Sequence, residues 1–155
     1  MLLGKIRQLA NLQTKLSGVI VGLSFLVFGC ESPKYSQCEP IFAIARDVNQ
    51  SNQNLNQVSN RQSLEMKVWL QAAHQFTQAD ARLRALRIES RELMQYQNQL
   101  ARIYRIYAQA TYDAVRAREN KNFSALESAR NNAAQAGILQ RQLIQEINTY
   151  CLDLE

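Results

Sequence analysis

Apolar residues recur every three or four positions in four stretches after residue 39, a spacing that places them on one face of an α-helix. The four stripes are Ile41, Ile44, Val48, Leu55 and Val58; Trp69, Ala72, Phe76, Ala79, Leu83 and Leu86; Leu93, Tyr96, Leu100, Ile103, Tyr107, Ala110 and Ala114; and Leu126, Ala129, Ala133, Ala136, Leu143, Ile147 and Tyr150. Residues 31–155 contain only one glycine and two prolines, so little in them favours turns or strands. The pattern predicts an all-α protein.

The first helix is expected over about residues 40–59, after a tether at residues 30–38. Pro40 suits the first turn of a helix, where its missing N–H costs no hydrogen bond, and Glu39 lies favourably near the positive end. The run from Asn49 to Asn54 is polar, which predicts the weakest part of the core there.

The second helix is expected to start near residues 60–63, and no Gly or Pro interrupts the chain from there to residue 118. We favour a break at residues 87–90, because Ser90 can cap a new helix whose first turn contains Glu92. Arg82, Arg84 and Arg87 then crowd the preceding helix end, where positive charge is stabilising. The alternative is one helix of about 85 Å with two antiparallel arms.

The run at residues 118–122 is the clearest turn of the chain, and Ser124 with Glu127 matches a capping box for the fourth helix. The start of that helix is rich in alanine, so neighbours can approach closely, and we expect the aromatic residues of the third helix to fill the space opposite. Four helices with short connections predict an up-down-up-down bundle over residues 39–152.

Residues 1–29 match an export signal. A basic lead is followed by the apolar run 16–28 and then by Gly29 and Cys30, and thirteen apolar residues are too few to span a bilayer comfortably. The segment Val27–Cys30 is similar to a lipobox, which predicts cleavage and lipidation at Cys30. An uncleaved single-pass anchor and a buried core helix are the alternatives. Either anchor places the folded part on the periplasmic or lumenal side.

The remaining cysteines, Cys38 and Cys151, lie at the two ends of the predicted bundle. Exported proteins sit where disulfides form and persist, so we expect these two to be bonded. An up-down-up-down bundle brings both to the same end, and so does the long-helix alternative. Two unrelated buried thiols are the other interpretation.

Two segments resemble a group of uncharacterised cyanobacterial membrane-anchored, lipoprotein-type helical proteins. They are the pattern Leu-x-x-Leu-x-Ile-x-Ser-x-x-Leu at residues 83–93, followed by Gln-Leu-Ala-Arg-Ile-Tyr at residues 99–104, and the C-terminal Glu-Ile-Asn-x-Tyr-Cys at residues 146–151. The resemblance covers roughly residues 64–151 and implies an exported helical domain of a photosynthetic bacterium, without catalytic residues.

The sequence contains no combination of residues typical of an active site, and we expect neither an enzyme, nor a cofactor, nor a metal site. His74 is the only histidine, and it lies opposite the apolar stripe of its helix, where we expect it to face solvent. Glu89 and Glu92 form an ordinary surface pair. Because residues 1–29 supply +3 of the formal net charge of +5, the basic balance does not indicate nucleic-acid binding.

Two sets of side chains are candidates for binding. The first is Arg82, Arg84, Arg87 and Arg91, for anionic lipid, unless they simply complement a helix end. The second is Tyr96, Tyr104, Tyr107 and Tyr112, for a partner or ligand, unless they are packed in the core. The leading hypothesis is a membrane-anchored module that binds or scaffolds another envelope or thylakoid protein. A small-ligand bundle for a pigment or lipid is the alternative.

Overall fold

Four α-helices make up the computed structural model, which describes residues 33–58 and 62–152. They are α1 (Pro33–Val58), α2 (Gln62–Ala85), α3 (Arg91–Glu119) and α4 (Phe123–Leu152), with no strand among the described residues. The all-α prediction is confirmed. The predicted signal at residues 1–29, with Cys30, lies outside the described residues.

Consecutive helices run antiparallel. Asp47 of α1 pairs with Arg82 near the end of α2, and Phe76 of α2 packs against Tyr104 of α3. At the start of α3, Tyr96 meets Tyr150 at the end of α4. These contacts give the up-down-up-down order of a four-helix bundle. α1 packs chiefly against α2 and makes far fewer contacts with α4.

The expected break between α2 and α3 is confirmed, and the single long helix is wrong. The chain leaves helical geometry at residues 86–90 and starts again at Arg91. Ser90 has extended backbone angles, and its hydroxyl accepts a hydrogen bond from the Leu93 amide at 3.3 Å. This N-cap satisfies an amide that a helix start otherwise leaves without a partner.

The expected start of the first helix at Pro40 is wrong. α1 already includes Pro33, and Pro40 lies inside it at the cost of one backbone hydrogen bond. Tertiary contacts outweigh this cost, because Cys38 and Ile41 are completely buried against the other helices. Residues 33–38, predicted as part of a tether, therefore belong to the first helix.

The expected turn between α3 and α4 is confirmed, but its capping differs from the prediction. Lys121 takes a left-handed conformation with φ of 52°, and the Asn122 amide reaches back to the Ala117 carbonyl at 2.8 Å. These features form a Schellman motif. The cap of α4 is Asn122, whose Oδ1 accepts from the Ala125 amide at 3.1 Å and from the Ser124 hydroxyl at 3.0 Å. Ser124 therefore supports the cap and is not the cap itself.

Bulky buried side chains gather toward one end of the bundle. Ile41, Leu83, Leu93, Leu100 and Ile147 are essentially inaccessible to solvent. Toward the other end, the buried residues are small, and they include Ala73, Ala108, Ala110, Ala117 and Ala129. The predicted stripe of α2 is also rotated slightly, since Val68 and Ala73 are buried while Trp69 is half-buried. In the polar run that was predicted to be the weakest part of the core, Asn49, Gln50 and Gln53 are exposed.

None of the described helices has an apolar stretch long enough to cross a lipid bilayer.

Candidate binding groove

The disulfide end of the bundle, which contains Cys38, Cys151 and residues 83–93, is tightly closed. The structure bonds Cys38 to Cys151, with their Cα atoms 6.2 Å apart, and both residues are buried. Ser90 ties three helices together there: its amide donates to Gln37 Oε1 at 3.3 Å, and its hydroxyl lies 2.7 Å from the Tyr150 hydroxyl. The interior of this end is therefore filled, although depressions lie on its surface, one of them lined by Leu86, Arg87 and Met94.

Gln97 is a structural residue that the apolar pattern did not reveal. It is the one buried polar residue of the described core, 4% exposed. Its Nε2 donates to the carbonyls of Leu83 and Leu86, the latter at 3.1 Å. Carbonyls at a helix C-terminus have no partner within the helix. Gln97 therefore caps the end of α2 from the side of α3.

The four arginines proposed for anionic lipid are all exposed at the disulfide end. Arg82 pairs with Asp47 at 2.8 Å, and Arg84 pairs with Asp80 at 2.6 Å. These exposed ion pairs each contribute about 0–1 kcal/mol and partly neutralise the cluster. Arg87 and Arg91 form no ion pair with a described carboxylate. Arg82 and Arg84 also lie in the last turn of α2, where positive charge is stabilising, and contact with anionic lipid stays a prediction.

The four tyrosines do not share one face. Tyr104 is completely buried and Tyr107 stacks on Phe76 of α2 with ring centroids 4.9 Å apart. Tyr96 instead packs edge-on against Tyr150 of α4, and Tyr112 is half-buried elsewhere on α3. Successive tyrosines of α3 thus point toward different neighbours, and the packing of Tyr104 and Tyr107 agrees with the core interpretation.

Burial shapes the acidity of these phenols. The pKa of Tyr104 rises to about 12 because burial disfavours the phenolate, and its hydroxyl has no hydrogen-bond partner among the described residues. Burial also raises the pKa of Tyr107, while Arg141 opposes this shift. For Tyr96 the pKa rises through burial and through its hydrogen bond to Glu92.

Potential metal ligands are dispersed in the described part of the chain, which contains no group of three or more His, Cys, Asp or Glu side chains able to hold an ion. His74 is exposed, as predicted, with its Nε2 3.0 Å from Gln78 Nε2.

An apolar groove lies between α2, α3 and α4, toward the end opposite the disulfide. We call it the alanine groove. Its described lining is Trp69 and Ala72 of α2, Ala110, Thr111 and Ala114 of α3, and Leu126, Ala129, Arg130 and Ala133 of α4. It encloses about 470 Å³ and is open to solvent. The Thr111 hydroxyl donates to the Tyr107 carbonyl at 2.8 Å, so no free hydroxyl is presented to an occupant.

Helix three leaves this groove open because its aromatic side chains are used elsewhere. Tyr104 and Tyr107 pack against Phe76, and the expected filling of the space opposite the alanines of α4 is wrong. The Tyr107 hydroxyl does reach α4 at Gly137, where an added Cβ would lie 3.1 Å from it. The alanine-rich start of α4 and the isolated Trp69 were the sequence features that could have predicted the groove.

Positive charge borders the alanine groove. The Arg118 guanidinium lies 5.3 Å from the centre of the Trp69 ring, a cation–π contact at one end. Arg130 is the only charged residue of the described lining. A different depression between α3 and α4 is wide and polar, and includes Glu92, Tyr96 and Glu146. The alanine groove is therefore the apolar candidate for binding.

Comparison with protein-family models, with curated proteins and with solved structures found no match to this chain.

Proposed function

We propose that the chain is a non-catalytic, membrane-anchored helical module that binds another protein of the envelope or thylakoid through the alanine groove. The exposed apolar lining of the groove is the observation that supports this proposal. Trp69, Leu126 and Ala133 present apolar surface that the molecule leaves partly exposed, and exposed apolar patches of this kind are typical of binding sites.

Anchoring in this proposal comes from the N-terminal export pattern, with lipid on Cys30 or with an uncleaved apolar segment. The folded part then faces the periplasm or the lumen, a location in which a Cys38–Cys151 disulfide persists. A Cys30→Ser variant should accumulate as an uncleaved precursor in membranes. Normal processing of that variant would contradict lipidation at Cys30.

The decisive experiment for partner binding is photo-crosslinking in intact membranes. A photoreactive amino acid at Ala133, in the groove, is compared with the same residue at Gln135, which is exposed on the opposite side of α4 by helical spacing. The proposal expects one defined protein adduct from position 133 and none from position 135. Equal labelling of bulk protein from both positions would refute it.

A second candidate function is the binding of a small apolar ligand, such as a pigment or lipid, in the same groove. Its volume of about 470 Å³ is within the usual range of ligand pockets, and this observation favours the idea. Solvent extraction of protein purified from its native membrane tests it. A stoichiometric apolar compound that is lost on Ala133→Phe substitution would support this function over protein binding.

A further inference from the structure

We propose that the partner segment bound by the alanine groove is an amphipathic helix whose apolar face covers Trp69 and whose acidic residues pair with Arg130 and Arg141. This inference rests on the proposed function and specifies the chemistry of the partner. It follows from the shape of the groove and from the charges along one of its walls.

Shape favours a helix as occupant. The walls of the groove are low, since Ala110 and Ala114 of α3 and Ala129 and Ala133 of α4 end at the Cβ atom. Low walls allow a helix to approach at the short end of the usual interaxial range of about 8–10 Å. α4 contributes more of the described lining than α2 or α3, and α1 leans on α2 and makes few contacts with α4. A helix lying along α4 therefore buries the exposed apolar surface.

Helical spacing extends the same surface beyond the groove. Leu126, Arg130, Ala133, Gly137 and Arg141 follow one another at intervals of three and four and so lie in one row of α4. The Arg141 Nη1 atom lies 3.7 Å from the position that a Cβ would take at Gly137, which places its guanidinium over this small residue. The row covers about 22 Å, which is about four turns of an occupant helix.

The charge of this row is uncompensated. Arg130 and Arg141 are both exposed, and neither forms an ion pair with a carboxylate of the described residues. This contrasts with Arg82 and Arg84, whose carboxylate partners lie within 3 Å. Arg130 and Arg141 are eleven residues apart, about 17 Å of helix rise, and long flexible side chains at this spacing complement a helix with two carboxylates eleven residues apart.

The test uses the full-length protein in phosphatidylcholine vesicles and a designed 18-residue helical peptide. The peptide has Leu and Ala along one face, Glu at positions 4 and 15, and no aromatic residue. Trp69 is the only tryptophan of the chain and lies in the groove, so its fluorescence reports occupancy directly. We expect a saturable change in Trp69 emission. A matched peptide with Lys in place of Glu should bind at least about tenfold more weakly.

A second experiment reverses the charge of the two arginines. Arg130→Glu with Arg141→Glu should weaken the Glu peptide at least about tenfold and make the Lys peptide the stronger ligand. Arg116→Glu is the matched control, because Arg116 is exposed on α3 and lines a different depression. It should leave both affinities unchanged. Equal far-UV circular dichroism of all variants shows that folding is preserved.

Four results would overturn the inference. The first is equal binding of the two peptides, and the second is that Arg116→Glu weakens peptide binding as much as the double arginine substitution does. The third is a change in Trp69 emission with phosphatidylglycerol vesicles but with neither peptide. The fourth is a change in Trp69 emission that depends only on protein concentration. The third result identifies a lipid occupant and the fourth a second copy of the chain.

The crosslinking experiment distinguishes a failure of the acidic-helix inference from a failure of the proposed function. If the adduct at position 133 persists in the double Glu variant, the proposed function stands and the acidic-helix inference fails. If no adduct forms at position 133 in the unmodified background, the proposed function itself fails, whatever the peptides do.

Discussion

The interior of the bundle is packed differently at its two ends. At the disulfide end, large side chains such as Leu83, Leu93 and Ile147 fill the interior, and Ser90 joins three helices through hydrogen bonds. Toward the other end, the facing positions are mostly alanine, and Trp69 is left half-buried beside them. Burial of large aliphatic groups stabilises by about 1.5–3 kcal/mol each, which alanine cannot match.

This difference leads us to expect an unequal contribution of the two ends to stability. Large buried side chains and the disulfide should make that end the more stable one, whereas the groove half leaves apolar surface uncovered. Surface that is apolar, open and supported by a rigid neighbour is suited to binding. Stability measurements on matched variants of the two ends test this division directly.

Loss of the disulfide is expected to have the largest effect. Replacing Cys38 and Cys151 by Ser opens a loop that spans a sequence separation of 113 residues, and this should lower the free energy of unfolding by about 4–5 kcal/mol in the chain-entropy model. Urea denaturation followed by circular dichroism at 222 nm measures it. An unchanged midpoint would mean that the disulfide end is not the source of rigidity.

Truncating one leucine in each half makes the comparison quantitative. Leu100 is completely buried, so Leu100→Ala should cost about 2–5 kcal/mol of unfolding free energy. Leu126 is only half-buried at the alanine groove, so Leu126→Ala should cost about 1 kcal/mol. The second variant should nevertheless weaken peptide binding more than the first. Equal stability losses would erase the distinction between the two halves.

Sequence periodicity predicted the helices and their order well, because caps and turns are local. Ser90 and residues 118–122 carry their own conformational preferences, so both boundaries could be predicted. Pro40 could not, because its place inside α1 depends on the burial of Cys38, a contact distant in sequence. The same holds for Gln97, whose partners are backbone carbonyls of another helix.

The alanines of α4 and Trp69 marked the region of the groove in the sequence, but whether that region is open could not be predicted, for a related reason. Alanine at a core position is equally compatible with tight packing and with an open surface, and the outcome depends on how the neighbouring helices lean. Here α1 leans toward α2, and the rings of Tyr104 and Tyr107 turn toward Phe76. Arg130 could be located on α4 from its sequence position, but its place at the groove could not.

Tyr104 connects the two halves and should reveal its burial through pH. Its hydroxyl has no described partner, so Tyr104→Phe should raise the free energy of unfolding by about 1 kcal/mol at pH 7. Below pH 10 the phenol is protonated in both folded and unfolded states. Between pH 10 and its folded pKa of about 12, only the unfolded state ionises, so stability should fall by about 3 kcal/mol.

The Phe variant should lose stability less steeply over this alkaline range, although the raised pKa of Tyr107 contributes in the same direction. Urea denaturation at pH 7, 9, 10 and 11 provides the comparison. Parallel curves for the two proteins would show that the Tyr104 hydroxyl is hydrated in solution, and the boundary between the two halves would then be looser than the structure indicates.

The smallest effect is expected at the turn that joins α3 to α4 beside the alanine groove. Lys121 adopts φ of 52°, which costs a residue with a Cβ about 1–2 kcal/mol, whereas glycine takes this conformation freely. Because glycine also loses more entropy on folding, Lys121→Gly should raise the free energy of unfolding by only about 0.5 kcal/mol. Lys121→Ala keeps the Cβ and should have no such effect. Asn122→Ala removes the cap of α4 and should lower the free energy of unfolding by about 1 kcal/mol.

Hydrogen exchange at the Ala125 and Ala129 amides measures where these changes act. If Lys121→Gly slows exchange there without altering Leu93 or Leu100, the groove half opens as a local unit, separately from the disulfide end.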